Sequence, residues 1–67
     1  MPRETVRWTV SNHEAQVVCV ERADDSDFEL HVRYCNLPIA SRRCVDSAEA
    51  ERWSDEVRGA WEAAGWK

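Results

Sequence analysis

The chain has 67 residues, a net charge of −4 and a 43% share of hydrophobic residues, and it contains four tryptophans. A chain of this length forms a single domain, residues 1–67, which buries only about 60% of the surface that the unfolded chain exposes. The net negative charge argues against nucleic-acid binding through an overall basic surface, because phosphate recognition needs a surplus of Lys and Arg.

The sequence also bears on the cellular compartment. Residues 1–10 contain charged side chains where a secretory signal needs an apolar run, and no stretch is long and apolar enough to span a membrane. The cysteines have neither a metal-binding nor a redox spacing. We therefore expect a cytoplasmic protein with reduced thiols, without a cofactor and without a membrane partner.

The first two predicted strands form a hairpin. Residues 5–10 alternate between apolar and polar side chains, and residues 15–22 contain an unbroken apolar run. Residues 11–14 supply the turn, since Asn12 can take a positive φ. The first strand then places Val6, Trp8 and Val10 on one face and Thr5, Arg7 and Thr9 on the other.

The register of this hairpin decides which valines of the second strand are buried. With a two-residue loop at 12–13, Trp8 lies opposite Val17. The side chains of Val18 and Val20 then lie on the face opposite to that of Trp8, where they stay exposed unless another surface covers them. A register shifted by one residue would bury both valines instead.

Two further strands are predicted. Residues 27–35 alternate cleanly, and residues 39–45 form a short, arginine-rich edge strand. The acidic loop at 23–26 lacks the glycine and the distal glutamate of a calcium-binding loop, so it is interpreted as a solvated turn. The third strand directs Phe28, Leu30, Val32 and Tyr34 to the core and Glu29, His31, Arg33 and Cys35 to the other face.

Residues 47–64 form a helix with a marked start and a marked stop. Asp46 is the predicted N-cap, with Ser47 as a rival. Gly65 supplies the left-handed stop, after which Trp66 would fold back onto the helix. The apolar stripe that faces the sheet consists of Ala50, Trp53, Val57, Trp61 and Ala64.

Together these elements predict an α+β fold of the ββββα type, an antiparallel meander sheet with one C-terminal helix packed on one face. One helix cannot cover four strands, so the other face of the sheet, which we call the open face, is where function or self-association is expected. The open face is predicted to carry Thr5, Arg7, Thr9, Gln16, Val18, Val20, Glu29, His31, Arg33 and Cys35.

No catalytic or metal-binding constellation is expected. His31 and Cys35 are roughly 13 Å apart on a strand, which is too far to share an ion or for the histidine to activate the thiol. Cys19 and Cys44 share the inner face, but an intervening strand keeps them beyond disulfide reach. No Ser/His/Asp order, nucleotide loop or paired carboxylate emerges, so we expect neither an enzyme nor a metal protein.

Residues 42–53 resemble a known type of domain. The segment RRCVDSAEAERW is similar to the strand-to-helix junction of the arm-type DNA-binding domains at the N-termini of many tyrosine recombinases. Glu49, Ala50 and Trp53 match the pattern of these domains, while Asp46 takes the place of their Thr or Ser cap and Cys44 the place of their aromatic residue. The resemblance implies a sheet with a C-terminal helix, and DNA recognition through the open sheet face. A helix followed by Gly-Trp is also similar to the ends of small uncharacterised bacterial proteins.

Two classes of function follow. The first is a small non-enzymatic interaction module that forms a homodimer, or binds a protein partner, through the open face or a sheet edge. The alternative is a nucleic-acid-binding module that uses the arginines of the open face. The acidic charge favours the first class. The candidate interaction residues are Arg7, Val18, Val20, His31 and Arg33.

Overall fold

The computed structural model describes residues 3–24 and 27–67, in which four strands precede one helix. The elements are β1 (Arg3–Ser11), β2 (Gln16–Asp24), β3 (Asp27–Tyr34), β4 (Leu37–Cys44) and α1 (Ser47–Ala63). The strands form an antiparallel sheet in the order β1-β2-β3-β4, and α1 packs on one face. The predicted ββββα fold is thus confirmed. Two residues of the predicted acidic loop, Asp25 and Ser26, lie outside the described residues.

The loop between β1 and β2 is longer than the two-residue loop from which the register was predicted. It covers residues 12–15, and Asn12 Oδ1 accepts hydrogen bonds from two following backbone N–H groups, each at 2.8 Å. An asparagine oxygen commonly closes a turn in this way. Trp8 consequently lies opposite Cys19 rather than Val17. A shift of two residues keeps each side chain of β2 on its predicted face.

A β-bulge at Arg7 changes the facing of the first half of β1. Val6 lies opposite Val20. The next paired residue of β1 is Trp8, opposite Cys19, so Arg7 is an extra residue in the ladder. One extra residue moves the side chain of every preceding residue of the strand to the opposite face of the sheet. Val6 therefore lies on the open face, 60% exposed, and the prediction that it belongs to the core is wrong.

A two-residue turn joins β3 to β4. Cys35 and Asn36 both have a positive φ, of 50° and 69°, as a type I′ turn requires. Cys35 thus belongs to the turn and not to the open face. The early turn lets β4 begin at Leu37, ahead of the predicted start, and a second bulge follows at Ile39.

The ends of α1 are those that the sequence predicts. Asp46 is the N-cap, and its carboxylate accepts a hydrogen bond of 2.8 Å from the Glu49 N–H. Gly65 has a φ of 99°, a region that glycine enters without the steric cost of a Cβ. Trp66 then folds back, because its N–H donates to the Trp61 carbonyl at 3.1 Å and the two rings meet edge to face with centroids 5.0 Å apart.

The core lies between the sheet and α1. It is built from Trp8, Val10, Val17, Cys19, Leu30, Val32, Cys44 and Ala50. The tryptophans of the predicted helix stripe, Trp53 and Trp61, pack against this core but are only half-buried, and Ala64 is exposed. The stripe therefore faces the sheet as predicted, but its side chains are less deeply buried than predicted.

Ser54 is the other buried residue of α1, and it lies outside the predicted stripe. Its exposed fraction is 1%. Trp8 Nε1 donates to Ser54 Oγ at 2.8 Å and approaches the Ser54 carbonyl oxygen at 3.2 Å. These contacts satisfy the indole N–H inside the core, and they tie the first strand to the middle of the helix.

Helix α1 crosses the sheet diagonally. It starts shortly after β4, where Cys44 is 2% exposed. Beyond its other end, Lys67 and Ser11 of β1 exchange two backbone hydrogen bonds, of 3.0 and 3.1 Å. A helix that runs from one edge strand to the other leaves two corners of this face uncovered, namely the start of β1 near Arg3 and the start of β4 near Leu37.

Candidate interaction surfaces

The open face carries a row of alternating charges that crosses the sheet. From β1 to β4 the row consists of Glu4, Arg22, Glu29 and Arg43, each directly opposite the next. The side chains of Glu4 and Arg22 approach within 2.8 Å, and those of Glu29 and Arg43 within 3.9 Å. Opposite charges in opposed positions favour this register of the strands.

The pairing of Glu4 with Arg22 affects the ionisation of both groups. The hydrogen bond from Arg22 holds the pKa of the Glu4 carboxyl below its ordinary value, and the charges of Arg22 and Arg33 act in the same direction. The same hydrogen bond raises the pKa of the Arg22 guanidinium. Both side chains are exposed, so water and salt screen the pair, and it contributes little to stability.

Val20 is buried beneath these charged side chains, and the prediction that it is exposed is wrong. Its exposed fraction is 5%. It lies on β2 between Glu4 of β1 and Arg33 of β3, whose side chains approach within 4.0 Å. Glu4 and Arg33 are also displaced to opposite sides of Val20 along the strands, so their side chains pass over it. Long charged side chains commonly cover apolar surface in this way.

The prediction that Arg7 belongs to the open face is wrong. Its guanidinium donates to Glu21 at 3.1 Å, and Glu21 lies opposite Leu30, a core residue. The bulge thus turns Arg7 towards the helix side, at a corner that α1 leaves uncovered, and the ion pair makes that corner polar. The other candidate residues do share the open face: Val18, Val20, His31 and Arg33.

The second uncovered corner is apolar. This apolar corner consists of Tyr34, Leu37 and Ile39, whose exposed fractions are 38%, 65% and 51%. Leu37 lies opposite Tyr34 at the turn, so both side chains point to the helix side. Tyr34 also contacts Trp66, with ring centroids 6.0 Å apart. A group of exposed apolar side chains of this kind is a candidate for an interaction surface.

A groove runs between β4 and the first half of α1. This flank groove has a volume of about 400 Å³ and is lined by Arg42, Glu49, Arg52, Trp53 and Glu56. Arg42 and Glu49 approach within 3.4 Å. Arg52 and Glu56 take part in none of the ion pairs within 4.0 Å found among residues 3–24 and 27–67. The groove therefore holds one unpaired charge of each sign beside a half-buried indole.

Neither the apolar corner nor the flank groove follows from the sequence pattern. A fourth strand over 39–45 leaves Leu37 in a turn and assigns it no face. The available signal was Asn36, because a residue that tolerates positive φ permits a tight turn and an earlier strand start. The groove depends on the diagonal path of α1, which no local pattern encodes.

The cysteines are free thiols with different exposures. Cys19 and Cys44 are buried on the two strands that flank β3, and Cys35 is exposed in the turn. Burial raises the pKa of both buried thiols, although a hydrogen bond with Ser54 opposes this shift at Cys19. In the part of the chain that the structure describes, no three potential metal ligands come together.

We expect only Cys35 to react with a thiol reagent in the native protein at mildly alkaline pH. Cys19 and Cys44 should resist, because the reagent cannot reach them and their raised pKa disfavours the reactive thiolate. Titration with a chromogenic disulfide, before and after denaturation, measures the difference. Cys35→Ser is the matched control and should leave no fast-reacting thiol. Rapid native labelling of Cys19 or Cys44 would contradict their burial.

The architecture defines a small α+β protein in which one helix crosses an antiparallel four-stranded sheet. The chain matches no protein-family model, no curated protein and no solved structure. Within the described ranges, α1 lacks the length and the apolar character that crossing a membrane requires. A functional conclusion therefore depends on the surfaces themselves.

Proposed function

We propose that this protein is a small non-enzymatic interaction module that forms a homodimer through its β4 side. The β4 side comprises the apolar corner, the flank groove and the outer edge of β4 between them. It is a better candidate than the open face, because Tyr34, Leu37, Ile39 and Val45 are exposed there or directly beside it, whereas Val6 is the one large apolar side chain of the described residues that is exposed on the open face.

The observation that carries the proposal is the exposure of large apolar side chains on this side. Leu37 is 65% exposed, Ile39 is 51% exposed, and Val45, directly after β4, is 78% exposed. Full burial of an aliphatic side chain contributes about 1.5–3 kcal/mol. Covering these residues would therefore stabilise a dimer appreciably, and the unpaired backbone edge of β4 would be covered at the same time.

Leu37→Glu should weaken dimerisation by about tenfold or more, because it removes apolar burial and forces a carboxylate to lose its water. Sedimentation velocity over a concentration series is the measurement. We expect the wild-type protein to pass from monomer to dimer as its concentration rises. The variant should remain monomeric over the same range, and circular dichroism verifies that it is folded.

The matched control is Val6→Glu, which introduces the same side chain at a valine that is 60% exposed on the open face. This variant should dimerise like the wild type. A wild-type protein that stays monomeric at high concentration would refute the homodimer. A dimer that Val6→Glu disrupts and Leu37→Glu does not would instead place the contact on the open face.

The alternative is a nucleic-acid-binding module that uses the open face, as the resemblance to arm-type domains implies. Its phosphate contacts would come from Arg22, Arg33 and Arg43. Each of these lies within 4.0 Å of Glu4 or Glu29, so phosphate would compete with a carboxylate. This pairing and the net charge of −4 favour the homodimer. Submicromolar binding to labelled duplex DNA, abolished by Arg33→Glu, would favour the alternative.

A further inference from the structure

We propose that the open face contains a binding site for a small aliphatic carboxylate, which Arg33 would hold beside a floor of valines. The site is a cleft of about 290 Å³. The residues that line it include Glu4, Val6, Val18, Val20, Arg33 and Asn36. The apolar corner and the flank groove lie on the helix side of the sheet, so this inference goes beyond the proposed homodimer and does not depend on it.

The floor of the cleft is apolar. Val20 of β2 lies opposite Val6 of β1, and Val18 is the next residue of β2 on the same face. The three side chains are therefore neighbours. Val20 is buried, Val18 is half-buried and Val6 is largely exposed. A branched hydrocarbon group in the cleft would cover Val6, and this burial of apolar surface would favour binding.

Arg33 supplies the charge that would hold a carboxylate. It lies opposite Val18, and Asn36 follows it in the tight turn between β3 and β4. Among residues 3–24 and 27–67, the Arg33 guanidinium forms one ion pair, with Glu4, in which the nearest atoms are 4.0 Å apart. This separation is beyond hydrogen-bond distance. The planar guanidinium can therefore donate two parallel hydrogen bonds to the carboxylate of a ligand.

Glu4 does not exclude an anionic ligand, because Arg22 already binds it. Arg22 donates to Glu4 Oε2 at 2.8 Å, whereas Arg33 approaches Glu4 Oε1 at 4.0 Å. One carboxylate and two guanidiniums therefore meet at the cleft, and together they carry one positive charge. A single carboxylate would neutralise this charge, whereas a cationic ligand would be repelled by it. A polyanion such as DNA would need several such arginines for tight binding.

The size of the cleft limits the ligand. Pockets of about 300–1,000 Å³ hold drug-sized molecules, and this cleft lies just below that range. We therefore expect a ligand with one carboxylate and a short branched carbon chain. Such a small molecule makes few contacts, so its dissociation constant should lie in the millimolar range.

Titration with isovalerate, followed by two-dimensional heteronuclear NMR at neutral pH and constant ionic strength, tests the site. We expect saturable shifts of the backbone amides of Val6, Val18 and Arg33. Arg33→Gln should weaken binding by about tenfold or more, because it removes charge-assisted hydrogen bonds to the carboxylate. The matched control is Arg43→Gln, which makes the same change at an arginine of the open face outside the cleft. This control should bind isovalerate like the wild type.

Two further probes separate the carboxylate from the carbon chain. Acetate has the carboxylate without the branched chain, and isoamylammonium has the branched chain with the opposite charge, so both should bind more weakly than isovalerate. Shifts that do not saturate, or that persist unchanged in Arg33→Gln, would overturn the site. Equal binding of isoamylammonium would overturn the selection of a carboxylate. If the same amides shifted with protein concentration and not with isovalerate, a second copy would occupy the cleft, and the proposal would be wrong.

Discussion

Replacing Trp8 by alanine should lower the free energy of unfolding by about 3–5 kcal/mol. Trp8 is 6% exposed in the core, and its Nε1 donates to Ser54 Oγ at 2.8 Å. The variant would leave a large cavity and remove the donor that ties β1 to α1. Globular proteins have only about 0.05–0.15 kcal/mol of stability per residue. We therefore expect Trp8→Ala to be largely unfolded by circular dichroism at room temperature.

Two conservative variants separate packing from hydrogen bonding at this position. Trp8→Phe keeps much of the ring volume but removes the donor, and it should cost about 1–3 kcal/mol. In Ser54→Ala, the indole N–H can still donate to the backbone carbonyl of residue 54, at 3.2 Å. The loss in the free energy of unfolding should therefore be smaller. Urea denaturation measures all three variants. If Trp8→Ala melts close to the wild-type temperature, Trp8 does not hold α1 against β1.

The second large loss is expected for Leu30→Ala, at about 2–5 kcal/mol. Leu30 has an exposed fraction of 0%. It lies between Glu21 of β2 and Arg42 of β4 in one cross-strand row. These charged neighbours cannot move into an apolar cavity without losing water, and Ala50 of the helix is too small to fill it. The cavity should therefore persist, which places the expected cost in the upper part of that range.

Leu37→Ala is the matched control for Leu30→Ala, since it makes the same chemical change at a leucine that is 65% exposed. At a concentration at which the protein is monomeric, it should change the free energy of unfolding by less than about 0.5 kcal/mol. Urea unfolding of both variants beside the wild type measures the difference. Equal losses at the two leucines would contradict the location of the core.

Local signals in the sequence predict the ends of the helix and the facing of β3. Asp46 and Gly65 act through bonds within one turn of α1, so their effects depend on few neighbours. The alternation over β3 likewise places Leu30 and Val32 in the core. These features are predictable because the information lies within a few consecutive residues.

The bulge at Arg7 shows why the facing of β1 is harder to predict. No single residue type marks a bulge, yet one extra residue exchanges the two faces of everything before it. Alternation therefore predicts Val6 in the core and Arg7 on the open face. In the structure, Val6 is exposed on the open face and Arg7 reaches Glu21 on the helix side.

Ser54 and Val20 show a second limit, which concerns burial. Ser54 is buried because the indole of Trp8 meets it from a strand far away in the sequence. Val20 is buried because Glu4 and Arg33, on its two neighbouring strands, meet above it. Hydrophobic periodicity treats each residue according to its own type, so it cannot anticipate burial that depends on distant partners. Hydrophobic periodicity cannot predict the flank groove for the same reason.

The two backbone hydrogen bonds between Lys67 and Ser11 close one end of the outer edge of β1. At that point β1 would otherwise offer unpaired N–H and C=O groups, which can template pairing with another chain. The segment reaches β1 only because Gly65 and Trp66 redirect the chain after α1. Detachment of the helix would therefore also free the N–H and C=O groups of Ser11, which would lengthen the part of the β1 edge that is open to pairing with another chain.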